Sequence, residues 1–170
     1  VTITMGTTES LRSAFAGESQ ANRRYLAFAA KAAEEGFPQV ARLFRAAAEA
    51  ETVHALNHLR ILKEVGSTEE NLRAAIAGET YEFRQMYPKF LEEAREEKRQ
   101  DAAWSFDVAN RVEEVHARLY SKALEVLKVG GRPDMVDYHI CQVCGNTVER
   151  EAPEKCPICG APKDRFRRIE

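Results

Sequence analysis

Two copies of the pattern Glu-x-x-His are the residues of this chain best suited to chemistry. They are Glu51-Thr-Val-His54 and Glu113-Glu-Val-His116, and their sequence numbers differ by a constant offset of 62. Positions i and i+3 share one face of an α-helix, so each pattern directs a carboxylate and an imidazole toward the same point. Both groups are ligands of divalent metal ions. One such pattern on an alanine-rich helix is typical of a solvated surface, but two copies predict metal binding.

A second pair of repeated segments adds one carboxylate to each pattern. Ala16-Gly17-Glu18-Ser19 recurs as Ala77-Gly78-Glu79-Thr80, at an offset of 61 in sequence number. The chain is therefore interpreted as a duplicated helical hairpin in which metal-ligand types, rather than core residues, are repeated. Four carboxylates and two neutral imidazoles suit two divalent cations, because burying these carboxylates without a cation would be very costly. Such a ligand set is typical of ferritin-like four-helix bundles.

One residue breaks the symmetry of the repeat. Glu82 lies one turn after Glu79, whereas the equivalent position in the first repeat is Ala21. A seventh ligand would offer one of the metals an alternative partner, and the competing interpretation of Glu82 is an ordinary surface position. Tyr25 follows Glu18 by seven residues and shares its face, and Tyr87 lies five residues past Glu82. Each phenol suits either a hydrogen bond to a ligand carboxylate or a place in the core. The other candidates are interpreted as surface or packing residues: His58, Met86 and Trp104.

The four cysteines form a separate cluster near the end of the chain. They occur as Cys141-Gln-Val-Cys144-Gly145 and Cys156-Pro-Ile-Cys159-Gly160. Each pair predicts a tight turn in which the following glycine adopts a positive φ. Four thiolates in two facing turns suit either one Zn²⁺ or one iron, and the spacing does not choose between them. A structural zinc ribbon therefore remains open beside a redox-active iron site.

Capping and stop signals show which elements must position these residues. They divide residues 7–129 into four helical segments, at about 7–35, 37–65, 68–98 and 101–129. Ser67-Thr-Glu-Glu70 has the form of a capping box that opens the third segment, Gly78 is a candidate interruption of it, and Asp101 is a candidate cap of the fourth. A glycine- and proline-rich stretch follows, which places the domain boundary between residues 1–132 and 133–170.

The composition bounds the partners and the location. Lys and Arg number 25 and Asp and Glu number 27, for a formal net charge of −2. This balance gives no electrostatic reason to expect binding to nucleic acid or to an anionic membrane. No apolar run approaches the roughly 20 residues that span a bilayer, and no basic segment followed by an apolar one suggests export. A cytoplasmic protein without a membrane or nucleic-acid partner is expected.

Together these motifs resemble those of the rubrerythrin family over about residues 9–168. The resemblance implies an all-α four-helix ferritin-like bundle followed by a small rubredoxin-like, zinc-ribbon-like β/loop metal domain. It also implies two irons in the bundle, one iron in the tetracysteine site with zinc as the alternative, and reduction of hydrogen peroxide to water. The electron donor would be a rubredoxin or an NAD(P)H-dependent reductase.

The same resemblance implies a role for each ligand. Glu51 and Glu113 would bridge the two irons, Glu18 and Glu79 would be terminal carboxylates, and His116 would hold the second iron. The first iron would be held by Glu82 when oxidised and by His54 when reduced. Tyr25 and Tyr87 would lie next to the ligands.

Three classes of function follow from these motifs. The first is a peroxide-reducing enzyme that uses both metal sites; the second is a ferritin-like iron oxidase or store that needs only the bundle. The third is a zinc-ribbon interaction module on a metal-stabilised bundle. A homodimer is expected, in which the first hairpin of one chain completes its bundle with the second hairpin of the other. If the second and third helices run parallel, as in ferritin-like folds, the link at Gly66 and Ser67 is too short for closure within one chain. The alternative is that residues 66–78 unwind into a crossover, against which the capping box argues.

Overall fold

The computed structural model describes residues 6–170. The chain divides into two compact units, one ending at Gly66 and one beginning at Ser67. The first unit is a helical hairpin, and the second contains another hairpin followed by a small sheet. None of the helices within residues 6–170 combines the length and the apolar character needed to cross a membrane.

The first unit consists of α1, Thr7–Glu34, and α2, Pro38–Leu62. Gly36 has φ +81° in the turn between them, and the Phe37 N–H donates to the Ala32 carbonyl at 2.8 Å. Pro38 begins α2, where its missing N–H costs no intrahelical bond. The sequence correctly places this turn, but α2 ends at Leu62 rather than near Val65, because Lys63 adopts a left-handed conformation.

Small residues form the contact between α1 and α2. The buried positions are alanines: Ala29, Ala32, Ala41, Ala48 and Ala55. Their size lets the two backbones approach closely. The buried Asn22 amide donates to the Ala48 carbonyl at 2.7 Å and to Thr52 Oγ1 at 2.9 Å, so the polar group inside this contact is satisfied.

The second hairpin has an interrupted first arm. Its elements are α3, Thr68–Tyr81, a π-helical turn, Glu82–Met86, α4, Tyr87–Glu96, and α5, Gln100–Lys128. Ser67 caps α3 in a capping box, since Glu70 N–H donates to Ser67 Oγ and Ser67 N–H donates to Glu70 Oε2. Gly78 lies inside α3, so the expected interruption there is wrong. Asp101 does not cap α5; Arg99 occupies that position and pairs with Asp101 at 2.9 Å.

The π-helical turn coincides with a change in the spacing of the internal repeat. The offset in sequence number is 61 between Glu18 and Glu79, but 62 between Tyr25 and Tyr87. The second hairpin therefore contains one extra residue between these two positions. The Tyr87 N–H donates to the carbonyl of Glu82, five residues earlier, which is how a helix accommodates one additional residue. The first hairpin crosses the same region as unbroken α-helix.

A three-stranded antiparallel sheet follows α5. Its strands are β1, Tyr138–Cys141, β2, Thr147–Glu149, and β3, Phe166–Ile169, in the order β2-β1-β3. β1 pairs with β2 through Ile140 and Thr147 and with β3 through Cys141 and Phe166. Two helical hairpins and a small C-terminal β domain agree with the predicted fold class.

Candidate metal centre

The first hairpin brings three of the predicted ligands together. Glu18 of α1 and Glu51 and His54 of α2 place one ligand atom each within 4.8 Å of one another. His54 Nδ1 lies 2.9 Å from Glu51 Oε2, as expected for positions i and i+3 on one helix. The His54 side chain is 55% exposed, whereas that of Glu51 is 18% exposed. The first hairpin thus presents a group of carboxylates and one imidazole at its surface.

The second hairpin repeats this arrangement. Glu79 of α3 and Glu113 and His116 of α5 also place one ligand atom each within 4.8 Å of one another. His116 Nδ1 lies 2.8 Å from Glu113 Oε2 and 3.6 Å from Glu79 Oε1. The His116 side chain is 25% exposed, less than half the exposure of His54. We call the two groups the His54 half-site and the His116 half-site.

The carboxylates of the His116 half-site repel one another. Burial, together with the charge and hydrogen bonding of Glu113, raises the pKa of Glu79 to about 7. The pKa of His116 is raised as well, mainly by its hydrogen bond to Glu113 and against the effect of burial. Without a cation this cluster is therefore short of positive charge. A bound divalent ion would supply that charge and keep both carboxylates ionised.

Glu82 lies near this half-site but outside the group of three. It is the first residue of the π-helical turn. Burial raises the pKa of Glu82, and the charge of Glu113 raises it further, which indicates that the two carboxylates are close. Its ligand atoms are not among those within 4.8 Å of one another. Its role as a seventh ligand stays a prediction, as does convergence of all seven residues on one site.

Both predicted tyrosines lie in aromatic clusters. Tyr25 packs with Phe28 and Phe44, whose ring centroids are 5.5 Å apart. Tyr87 packs in the same way with Phe90 and Phe106, whose centroids are 5.6 Å apart. All three aromatic positions recur at an offset of 62 in sequence number, so the expectation that only ligand types are duplicated was wrong. The phenylalanines could have been found from that offset.

The carboxylates of the His116 half-site raise the pKa of two nearby tyrosines. Burial raises the pKa of Tyr87, and Glu113, Glu82 and Glu79 raise it further. Burial, Glu79 and Glu113 likewise raise the pKa of Tyr120, which no sequence motif marks.

The three residues interpreted as surface or packing positions differ in their surroundings. His58 is half-buried, in line with its interpretation as a surface or core residue, and its Nδ1 has no hydrogen-bond partner among residues 6–170. Met86 ends the π-helical turn, and Trp104 is about half exposed. None of the three belongs to a group of candidate metal ligands within the part of the chain that the structure describes.

The four cysteines form the third group. Cys141 Sγ and Cys159 Sγ are 3.7 Å apart, and Cys144 Sγ and Cys156 Sγ are 3.6 Å apart. A tetrahedral ion with metal–sulfur bonds of about 2.3 Å needs sulfurs at about this separation. Gly145 and Gly160 both have positive φ, as predicted, and each donates its N–H to the carbonyl of the first cysteine in its turn.

The surroundings of the sulfurs differ. Burial opposes ionisation of Cys156, but the backbone N–H groups of Cys159 and Ile158 outweigh it and lower the pKa of Cys156 to about 7. Burial raises the pKa of Cys144. The buried Asn146, which no sequence motif marks, directs its amide toward Cys156 Sγ at 3.8 Å. The donor set fits a tetrathiolate ion, and the two half-sites fit divalent ions held by carboxylates and imidazoles.

Comparison with known proteins matches two family models to two parts of the chain. The family model for rubrerythrin matches residues 9–124, and the model for the rubrerythrin, rubredoxin-like domain matches residues 139–167. Rubrerythrin-2 of Clostridium acetobutylicum is 40% identical, with 94% of this chain and 95% of that protein covered. Nigerythrin of Nitratidesulfovibrio vulgaris is 38% identical, with 94% and 85% covered. The solved structure of nigerythrin in its fully reduced, all-ferrous state covers 99% of this chain and 89% of that chain at 37% identity, with a TM-score of 0.58.

Proposed function

Because this chain belongs to the rubrerythrin family, we propose that it is a peroxidase that reduces hydrogen peroxide to water. Membership supports an iron-based oxidoreductase role in oxidative stress, and the family carries a di-iron site and a tetracysteine site. Peroxide as the substrate and the tetracysteine site as the electron relay are the proposed parts. A cytoplasmic location and the domain boundary at residues 132 and 133 stay predictions.

One observation carries the choice of a peroxidase over an iron store. The second unit contains both the His116 half-site and the cysteine cluster, and His116 Nε2 lies 2.9 Å from Thr147 Oγ1 in β2. A zinc ribbon with only a structural role does not require contact with a candidate metal ligand, so this contact favours a role in the reaction. A one-electron site next to a two-metal site suits a reaction in which peroxide takes up two electrons and two protons to give two waters.

The residues would divide the work as the family resemblance implies. Bound iron would supply the electrons and the Lewis acidity that weaken the O–O bond. Glu51 and Glu113 would hold both ions, Glu18 and Glu79 would each hold one, and His116 would be the fixed nitrogen ligand. Glu82 and His54 would exchange as ligands of the other ion when its charge changes.

The lengths of the elements support exchange of hairpins between two chains. Glu51 lies eleven residues before the end of α2, and Glu79 lies eleven residues after the start of α3. Each distance is about 17 Å at 1.5 Å per residue. If α2 and α3 run parallel, as in ferritin-like bundles, the link from Leu62 to Thr68 would have to cover about 33 Å. Six steps of extended chain reach only about 22 Å. A second chain can supply the missing half-site without this constraint.

Mixed dimers test the exchange. Chains carrying Glu51→Ala are co-refolded with chains carrying Glu113→Ala. An exchanged mixed dimer contains one site with both defects and one with neither, so iron binding should recover to about a quarter of the wild-type level. Dimers that keep both hairpins of a site within one chain would recover none. Protein containing only Glu51→Ala chains, refolded in the same way, is the control.

Zinc replacement tests the peroxidase proposal. Protein with zinc in the tetracysteine site and iron in the bundle keeps its fold but loses the proposed relay. It should react once with peroxide after reduction of the bundle site, and then stop turning over with an external reductant. Cys156→Ser should give the same pattern. Sustained turnover with zinc in the tetracysteine site would contradict the proposal that this site relays electrons. Absence of any peroxide reaction in the native protein would favour the iron oxidase or store.

A further inference from the structure

The cysteine module, residues 138–169, contacts one face of α5 in its own chain. Three side chains of α5 make polar contacts with it. Arg111 donates from Nη1 to the Ile158 carbonyl at 2.9 Å and from Nη2 to the Pro157 carbonyl at 3.1 Å. His116 Nε2 lies 2.9 Å from Thr147 Oγ1, and Lys122 Nζ lies 2.7 Å from Glu149 Oε2. These positions follow one another along α5, so the module is fixed at both ends and in the middle.

The two nitrogens of His116 have different surroundings. Nδ1 faces the carboxylates of Glu113 and Glu79, and Nε2 faces the hydroxyl of Thr147. If Nδ1 binds a metal, the neutral ring must carry its proton on Nε2, which then donates to Thr147 Oγ1. Thr147 would thereby fix both the tautomer and the ring plane of a ligand.

His54 lacks this support. Its Nδ1 faces Glu51 in the same way, but its side chain is more than half exposed. Among residues 6–170, no protein group is within hydrogen-bond distance of His54 Nε2. Within a single chain the duplicated histidines are therefore not equivalent, since His116 contacts Thr147 on its far side and His54 is exposed there.

Arg111 holds a different part of the module. Its planar guanidinium binds two consecutive carbonyls in the turn between Cys156 and Cys159. A lysine could not make this paired contact, because its ammonium is a single point charge without a planar fork. The contact fixes which side of the cysteine cluster faces α5. Gln142 and Val143 of the other turn remain exposed to solvent.

We propose that Thr147 and Arg111 are positioning residues that lock the cysteine module onto α5 of its own chain, so that the module delivers electrons to the His116 half-site of that chain. The locking is independent of the reaction, whereas the delivery of electrons rests on the proposed peroxidase function.

Metal binding tests the role of Thr147 without using activity. With zinc in the tetracysteine site, Co²⁺ is titrated into the bundle and followed by its visible absorption. Thr147→Val removes the hydroxyl at constant shape and should weaken one of the two Co²⁺ affinities by about 10–100-fold, the usual effect of losing such a support. Thr147→Ser restores the hydroxyl and should restore the affinity. Lys122→Gln, which removes a neighbouring contact, should leave it unchanged.

A second measurement is hydrogen exchange, followed by nuclear magnetic resonance in protein with zinc in the tetracysteine site. The wild-type His116 ring should carry its proton on Nε2 with slow exchange, and Thr147→Val should accelerate that exchange by about tenfold or more. Arg111→Lys should accelerate amide exchange in residues 157–160, and Lys122→Gln should not. Unchanged Co²⁺ affinity and unchanged exchange in the Thr147 and Arg111 variants would overturn the locking, whatever the enzyme activity.

A mixed dimer tests electron delivery within one chain. Chains with Cys156→Ser are combined with chains with His116→Ala. If each module delivers electrons only within its own chain, the intact His116 half-site lies on the chain without a working module, and sustained peroxide turnover should be absent. Turnover in this mixture would show delivery to the partner chain and overturn that part of the proposal. Failure of the wild type to turn over would instead count against the proposed function, and the Co²⁺ titration would still decide the locking.

Discussion

The two helical hairpins carry the same three ligand types but treat their histidine differently. In the first, His54 is exposed and held only by Glu51 of its own helix among residues 6–170. In the second, His116 is less than half as exposed and is held from both sides, by Glu113 and by Thr147. The second hairpin also contains an additional carboxylate, Glu82, in a π-helical turn where the first continues as α-helix. Duplication thus supplied both sets of candidate ligands, and later differences gave the second hairpin a contact to Thr147 and a carboxylate that the first lacks.

The largest expected effect follows from replacing each histidine in turn. Protein purified in the oxidised state with His54→Ala should keep two irons per site, because Glu82 is expected to hold the first iron in that state. His116→Ala should lose at least one iron per site, since nothing in the His116 half-site replaces a fixed nitrogen ligand. Iron analysis of the two variants after dialysis measures this. Equal losses would show that the two histidines are equivalent after all.

Removing the extra residue should give a smaller effect. Arg84 is exposed, and its guanidinium lies over the Phe83 ring. Deletion of Arg84 combined with Pro88→Leu, the residue at the matching position 26, should convert residues 68–96 to unbroken α-helix like α1. The second change is needed because a proline inside that helix would clash with the carbonyl four residues earlier. The helix content should be kept, because the first hairpin packs without a π-turn. Glu82 should no longer reach the metals, so turnover should fall, and Glu82→Ala should lower it in the same way. A crystal structure of the variant checks the helix, and persistence of the π-turn would contradict this account.

A smaller difference between the two hairpins should appear in how the free energy of unfolding depends on pH. In metal-free protein, the pKa of Glu79 is raised to about 7 and that of His116 is raised above its usual value. Between about pH 4.5 and 7 the folded chain therefore holds more protons than the unfolded chain, and the free energy of unfolding should decrease as pH rises. Urea denaturation of chelator-treated protein at several pH values measures this. Glu79→Gln should flatten the dependence, and an unchanged slope in that variant would place the cause elsewhere.

The smallest effect concerns the two interhelical turns. Gly36 has φ +81°, and its counterpart at the offset of 62 is Lys98, with φ +58°. A side chain in the left-handed region costs roughly 1–2 kcal/mol, part of which glycine loses again through its own flexibility. Lys98→Gly should therefore raise the free energy of unfolding by about 0.5–1 kcal/mol, and Gly36→Lys should lower it. Thermal denaturation of the pair suffices, and a lower melting temperature for Lys98→Gly would refute the argument.

Local spacing made the three groups of candidate ligands predictable. Glu51 and His54 are brought together by one turn of helix, and the cysteines by two tight turns, so neither group depends on distant packing. The capping box at Ser67 and the glycine turn at Gly36 are equally local. Gly78 was misread as an interruption, because a glycine inside a helix costs only about 1 kcal/mol and packing with α5 outweighs it.

Other features depend on contacts between residues distant in sequence. Thr147 meets His116 across 31 residues, and Arg111 meets the second cysteine turn across 46 and 47. No pattern in the chain marks either residue, since each acts through the docking of a sheet on a helix. The π-helical turn was different. Its signal, a change of offset from 61 to 62, was present in the sequence but needs the aromatic pairs as well as the ligands to be recognised.

That turn also records an order of events in the gene. A duplicated hairpin coding for two identical arms would at first have given identical spacings throughout. The residues on either side of the turn still match their counterparts, so the two copies differ here by one codon, gained in the second or lost from the first after the duplication. A change of one codon in an ordinary helix would turn everything beyond it by about 100°. Here the bulge absorbs the difference, so Tyr87, Phe90 and Phe106 still pack as their counterparts do in the first hairpin.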